Sequence, residues 1–339
     1  MQRNKILCFF ATIIIAAVTI YVVFRGGGVS FGQLAESIKE ASVPGIILSC
    51  ISMFGFIFFE GEALREIVFH MGYPTKHRHA FVYSAADIYF SAITPSASGG
   101  QPASAFFMIK DGMPATTVMA ALLVNLIMYT LAVISIGVFA ILTFPKIFLN
   151  FSVVCKIFIV SGIIVLSVLA IIFYLLLRKQ EILKKLAVWL EAFLRKIHCV
   201  HAADRVQNKM EAALKDYANC VELIFHKAFL LNLLQRMSQI MVTLFTFFAI
   251  HGDLSKIWEL FATQIYVVLG SNCVPIPGAI GVADYLMLSG YKELMSKSDA
   301  YHLEILSRGL SFYGCMVISM ITVLVGYICL RKKEIRRDK

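Results

Sequence analysis

Two short stretches of this sequence cannot be helical, yet they carry the polar atoms best suited to meeting a charged ligand. The first is Thr94-Pro95-Ser96-Ala97-Ser98-Gly99-Gly100-Gln101-Pro102 and the second is Pro275-Ile276-Pro277-Gly278-Ala279-Ile280-Gly281. Proline removes a backbone donor and clashes with the preceding turn, so Pro95, Pro102, Pro275 and Pro277 break any helix they enter. Both breaks interrupt apolar runs, over residues 80–109 and 257–294. Irregular backbone at membrane depth is tolerated only where protein buries it or where it lines a water-filled cavity. Ser96, Ser98, Gly99, Gly100 and Gln101 precede a half-helix starting near Pro102, and Gly278 and Gly281 precede one near Ile280–Val282. A half-helix N-terminus offers unpaired N–H groups and the positive dipole end, which suits a phosphate, and glycine lets the backbone approach it. The expected chemistry is anion binding, with a purely architectural role for the breaks as the alternative.

Ionisable residues inside apolar runs are costly and mark a partner or a pathway. Arg236 lies two turns into such a run with Gln235 and Gln239 beside it, and is read as a headgroup contact. Asp87 precedes the first break and Asp284 follows the second, so they are candidate amine or cation partners, or helix caps. Glu60, Glu62 and Arg65 end an apolar run as interfacial ion pairs or pathway residues, and Arg308 reads as interfacial. His77 and His79, flanking Arg78, read as a solvated turn. His198, Cys199 and His201 lack a fourth ligand, so no metal is expected. Neither Walker A, HExxH, GxSxG nor a dinucleotide-type glycine loop occurs, and no catalytic residue or cofactor is assigned. The 8 cysteines form no CxxC pair and read as buried free thiols.

These residues must be positioned by membrane-spanning helices. Of 339 residues 59% are hydrophobic and 15% charged, and the apolar ones arrive in blocks of the length a helix needs to cross a bilayer. Six stretches can span: Ile6–Phe24, Val43–Phe59, Thr116–Phe144, Phe151–Leu177, Ala228–Ile250 and about Ser307–Leu330. Ile6–Phe24 is too long for a signal-peptide core and reads as an uncleaved span. With the N-terminus inside, 22 Lys and Arg fall on the cytoplasmic side and 7 outside. The first broken run then enters and leaves from the cytoplasm and the second from outside. The expected fold is an all-α polytopic membrane protein, with six full spans and two re-entrant helix pairs in an inverted-topology repeat. Residues 1–144 form the first repeat, 145–330 the second, and 331–339 a basic cytoplasmic tail. Both termini lie in the cytoplasm of a bacterial inner-membrane protein. The connector 178–227 reads as amphipathic and suits anionic inner-leaflet lipids, or is simply solvated. The net charge of +10 is thereby explained without nucleic acid.

The first break, followed by Lys110-Asp111-Gly112, resembles the "TP…GGQP…KDG" pattern of the lysylphosphatidylglycerol synthase transmembrane (flippase-like) family. The second break with Asp284 is similar to that family's "P-x-PG-x-xG" element. The resemblance implies a flippase-like transporter of an anionic or aminoacylated phospholipid, of the lysylphosphatidylglycerol type. In bifunctional members this region flips the aminoacylated lipid outward, which confers resistance to cationic peptides, and a separate cytoplasmic domain makes that lipid. That synthase domain is not expected here, so any synthase would be a separately encoded partner. Three alternatives stay open: a membrane component of phosphatidylglycerol lysyltransferase-type synthesis, translocation of a polyprenyl-phosphate-linked lipid, and a scaffold docking through the connector. The transferase reading would need Asp87 or Asp284 as its base.

Overall fold

The computed structural model describes residues 37–39, 41–94, 97–178, 226–250, 255–272, 274 and 276–337. The first expected span, the connector helices, His198, Cys199, His201, Pro95, Ser96 and Pro275 lie outside them. Among the described residues the chain is helical, with no strand. Five helical stretches are long and apolar enough to cross a membrane: Val43–His70, Ala115–Thr143, Val153–Ile172, His226–Ile250 and Lys297–Leu330. They correspond to the five expected spans within the described part of this multi-pass membrane protein.

Helix α1 (Val43–His70) carries Pro44 in its first turn and outruns its expected end at Phe59. The polar residues that suggested an end are buried and partnered instead. Glu60 is 7% exposed and accepts from Gln235 Nε2 at 2.9 Å, Glu62 is 7% exposed and accepts from Arg65 Nε at 2.7 Å, and one turn on the buried Glu66 pairs with Lys227 Nζ at 2.8 Å. Paired in this way, a buried carboxylate no longer carries its full desolvation cost.

Helices α2 (His77–Ile93) and α3 (Gly100–Lys110) form the first hairpin. Gly61 of α1 backs onto the Ala80 carbonyl, and Ser84 Oγ donates to the Ile57 carbonyl at 2.7 Å, which sets α2 antiparallel to α1. Gly72 and Gly112 take φ of 87° and 102° where α1 and α3 end. At each, the next residue's N–H reaches back five residues to a carbonyl (Tyr73 to Val68, Met113 to Met108), a left-handed stop that glycine adopts without strain. Next come α4 (Ala115–Thr143), the short α5 (Pro145–Asn150) and α6 (Val153–Arg178).

Helix α7 (His226–Ile250) runs antiparallel to α1. Lys227 meets Glu66 at one end, and at the other the Ser42 N–H donates to the Ala249 carbonyl at 2.7 Å. The second hairpin joins α8 (Ile257–Ser271) to α9 (Val282–Tyr291) through a 3₁₀ turn at Pro277–Ala279. Its feet are tied where Lys256 Nζ donates to the Leu294 carbonyl at 2.7 Å. The two hairpins therefore have their feet at opposite ends of α7. At 17, 11, 15 and 10 residues, α2, α3, α8 and α9 are each too short to cross about 30 Å of hydrocarbon at 1.5 Å per residue.

The last stretch is α10 (Lys297–Arg308), a π-helical segment Gly309–Gly314, and α11 (Cys315–Arg337). It starts earlier than expected because Ser296 caps it, its Oγ accepting from the Asp299 N–H at 3.2 Å. Tyr89, Ala92, Ile305, Tyr313 and Met316 form a buried cluster against which Ile280 packs, so the second hairpin's tip meets the end of α2.

Candidate functional site

Each hairpin is fixed at its feet, which places its tip. In the first, Asp111 Oδ2 accepts from Tyr83 Oη at 2.6 Å and meets His79 Nδ1 at 2.6 Å. His77 Nδ1 meets Glu62 Oε1 at 2.5 Å, and the other Glu62 oxygen accepts from Arg65 Nε at 2.7 Å. His77 and His79, expected in a solvated turn, instead pin the start of α2 to α1 and to the end of α3. His77 stays exposed while it touches Glu62, and His79 is half-buried against Asp111, so each is paired without leaving the surface.

At the first tip the Gly99 N–H donates to Thr94 Oγ1 at 2.9 Å. Gly100 is buried so tightly on α2 that a Cβ would stand 2.0 Å from both Asp87 Oδ1 and Ser91 Oγ. Asp87 also accepts from Ser91 Oγ at 3.0 Å. A carboxylate thus already lies against the first turn of α3.

The second tip repeats this pattern. The Gly281 N–H donates to Asp284 Oδ2 at 2.8 Å, so α9 is capped by its own third residue. Asp284 Oδ1 lies 2.7 Å from Arg308 Nε, an ion pair without hydrogen-bond alignment. Arg308 Nη2 donates to the Gly278 carbonyl at 3.1 Å, and the guanidinium lies 4.9 Å from the Phe312 ring centre. Each half-helix N-terminus, expected to face an anion, has a carboxylate of this chain beside it: Asp87 at α3 and Asp284 at α9. Asp284 acts as a cap and an arginine partner.

A cavity of about 400 Å³ lies between the tips. Ala97 lines it from the first hairpin, and Ser271, Asn272, Val274, Ile276, Gly278 and Ala279 from the second. Arg236 and Gln239 of α7 also line it, as do Arg308, Ser311 and Phe312 of the last helical stretch. Ala97 and Ala279 both hold left-handed backbone, with φ of 54° and 48°. For alanine this costs about 1–2 kcal/mol per residue, strain that clusters where a backbone is shaped for a task.

Arg236 is the cavity's poised cation. Its Nη1 donates to Gln239 Oε1 at 2.6 Å, and its guanidinium lies 4.3 Å from the Tyr129 ring centre and 5.3 Å from that of Phe56. Tyr129 is held by donating to Asn272 Oδ1 at 2.9 Å. Arg236 Nε is buried with no hydrogen-bond partner among the described residues. Glu60 stands within electrostatic reach of Arg236, behind Gln235. A desolvated guanidinium with a spare donor has room for one more hydrogen-bond acceptor.

Over residues 9–319 the chain matches the family described as Lysylphosphatidylglycerol synthase TM region. The chain belongs to that family. No curated protein and no solved structure matches it. In this lysylphosphatidylglycerol synthase TM-region protein the motif residues divide by task. Asp111 and Gly112 fix the first hairpin's feet, Pro102 stands in the first turn of α3, and Pro277 opens the 3₁₀ turn. Of the residues expected to bind, Arg236, Gln239 and Gly278 line the cavity. Ser98, Gly99, Gly100, Gln101 and Gly281 stand at the tips but do not line it, and Asp87 and Asp284 lie behind it. Arg308, Ser271, Asn272 and Ser311 were not expected there. An arginine at the edge of an apolar run was the one signal that marked any of them.

Among the described residues, no group of three or more His, Cys, Asp and Glu side chains is arranged to hold a metal.

Proposed function

We propose that this protein is a flippase-like transporter that moves an anionic or aminoacylated phospholipid across the cytoplasmic membrane. In this reading the two hairpins are re-entrant, dipping from opposite faces as the halves of an inverted-topology repeat with both termini cytoplasmic. The observation that carries it is the cavity between the hairpin tips, lined by both Arg236 and Arg308. A phosphate there would take the unpartnered Arg236 Nε and replace lost water contacts with charge-assisted hydrogen bonds. Polar side chains such as Ser271 and Ser311 would accommodate the rest of a headgroup. Hairpins with feet at opposite ends give one site two approaches, which is what alternating access requires.

The transferase alternative needs a carboxylate free to act as a base toward the lipid. Asp284 is engaged by Gly281 and Arg308, and Asp87 is packed under Gly100. That favours transport over group transfer.

The test uses the full chain in proteoliposomes containing a fluorescent phosphatidylglycerol, with dithionite quenching the outer leaflet. Wild type should give lipid exchange between leaflets and Arg236→Gln should abolish most of it at equal incorporation. Equal exchange by both proteins and by empty liposomes would remove the proposal.

A further inference from the structure

We infer that Asp284 and Glu304, behind Arg308, form a site for one exchangeable proton, and that a phosphate binding in the cavity takes that proton up. The inference rests on the transport reading above and adds the ion that moves with the lipid. Glu304 of α10 is 5% exposed and stands one turn before Arg308 on the same helix. Its carboxyl lies within hydrogen-bonding range of the Asp284 carboxyl. Two ionised carboxylates have no proton with which to make that bond. Asp284 Oδ2 accepts from the Gly281 N–H at 2.8 Å, whereas the buried Asp284 Oδ1 accepts a hydrogen bond from no donor among the described residues. Arg308 Nε lies 2.7 Å from that oxygen but is not aligned to donate.

With both carboxyls ionised, this trio carries one excess negative charge where water is largely excluded, and like charges there repel far more than in water. A proton on Glu304 cancels the excess and supplies the donor that Asp284 lacks. Tyr291 and Tyr313 also face the trio, and Tyr291 Oη donates elsewhere, to Gln264 Oε1 at 3.0 Å. The carboxylates near Arg236 are arranged differently. Glu60 accepts from Gln235 and Asp87 from Ser91, so each has a neutral donor of its own.

Proton and lipid are linked through Arg308, which lines the cavity. A phosphate diester arriving there adds a negative charge to a guanidinium that already faces two carboxyls. With Glu304 ionised, the diester is the third negative group around one arginine; with Glu304 protonated, it is the second. The protonated protein therefore binds the anion more tightly, and by reciprocity the anion draws a proton from water. The side from which the lipid enters supplies that proton, so a pH difference across the membrane biases the direction of transport.

The experiment titrates dihexanoyl phosphatidylglycerol into the purified full chain by calorimetry. Two buffers of different ionisation enthalpy count the protons exchanged, at several pH values across neutrality. The lipid's phosphate diester stays ionised throughout, so any proton counted belongs to the protein. Wild type should take up as much as about one proton per lipid, with affinity falling by up to about tenfold per pH unit as pH rises. Glu304→Gln, a neutral stand-in for the protonated acid, should bind without proton uptake and with an affinity that no longer depends on pH. Glu60→Gln should keep the uptake, and thermal melting confirms that both variants are folded. Wild-type binding with no proton uptake, or with release, overturns the linkage and leaves the lipid site standing. Uptake that survives in Glu304→Gln and vanishes in Glu60→Gln overturns the assignment to Asp284 and Glu304. If the lipid does not bind, or binds Arg236→Gln as well as wild type, the lipid site is overturned and the linkage with it.

Discussion

Arg308 on α10 reaches Asp284 on α9 with Nε 2.7 Å from Oδ1, and the same guanidinium donates to the Gly278 carbonyl at 3.1 Å. One side chain thereby ties the last long helical stretch to both ends of the second hairpin's turn. It also supplies half of the cavity's positive charge.

Removing Asp284 takes the nearest carboxylate from a buried Arg308 and the cap from the Gly281 N–H. Asp284→Ala should cost about 3 kcal/mol of stability, since Arg308 is only 11% exposed. Asp284→Asn together with Arg308→Gln should recover more than half of that loss. Thermal unfolding in detergent, following the intact protein by size exclusion, decides this.

Arg236 should matter for transport more than for folding. Arg236→Gln should lower lipid exchange by about ten- to a hundredfold, the loss of one or two charge-assisted hydrogen bonds. Arg236→Lys keeps the charge but loses the fork geometry and the planar stack on Tyr129, so it should fall between the two. Initial rates in the dithionite assay rank the three proteins.

Gly100 and Gly281 should respond oppositely in mechanism. Gly100→Ala forces a methyl onto Asp87 and Ser91, where 2.0 Å of space is available, and should destabilise by about 1–3 kcal/mol. Gly281→Ala meets nothing within 4 Å and should lose only the cost of its φ of 83°, about 1 kcal/mol. Comparing melting temperatures separates crowding from backbone strain.

Ala97→Gly and Ala279→Gly should each stabilise the protein by about 1 kcal/mol, because glycine holds a positive φ without the penalty that Cβ imposes. The same substitutions should slow transport if the strained tips keep the cavity open. Parallel melting and exchange measurements on each variant test the two effects.

The hairpins were legible in the sequence because their cause is local. Proline and glycine act on their own backbone, so Pro102, Gly112 and the Pro277–Gly278 pair announce a break whatever surrounds them. Arg236 was legible because a guanidinium deep in an apolar run has few bland explanations. Arg308 was not, since its role comes from a neighbour 24 positions away, and a helix's edge looks the same with or without that contact. The extension of α1 past Phe59 was hidden for a similar reason: Glu60 and Glu62 read as the end of the span until Gln235 and His77 stand beside them. For Asp87 and Asp284 the sequence left an amine partner and a helix cap both open, and only the packing of Gly100 and the Gly281 N–H shows each carboxylate against a helix start.

The most direct test is a density map of the protein in nanodiscs containing phosphatidylglycerol. A phosphate seated between Ala97 and the 274–279 turn, within hydrogen-bond reach of Arg236, is the predicted result. Lipid confined to the outer surface of the helices, with the cavity holding none, would contradict it.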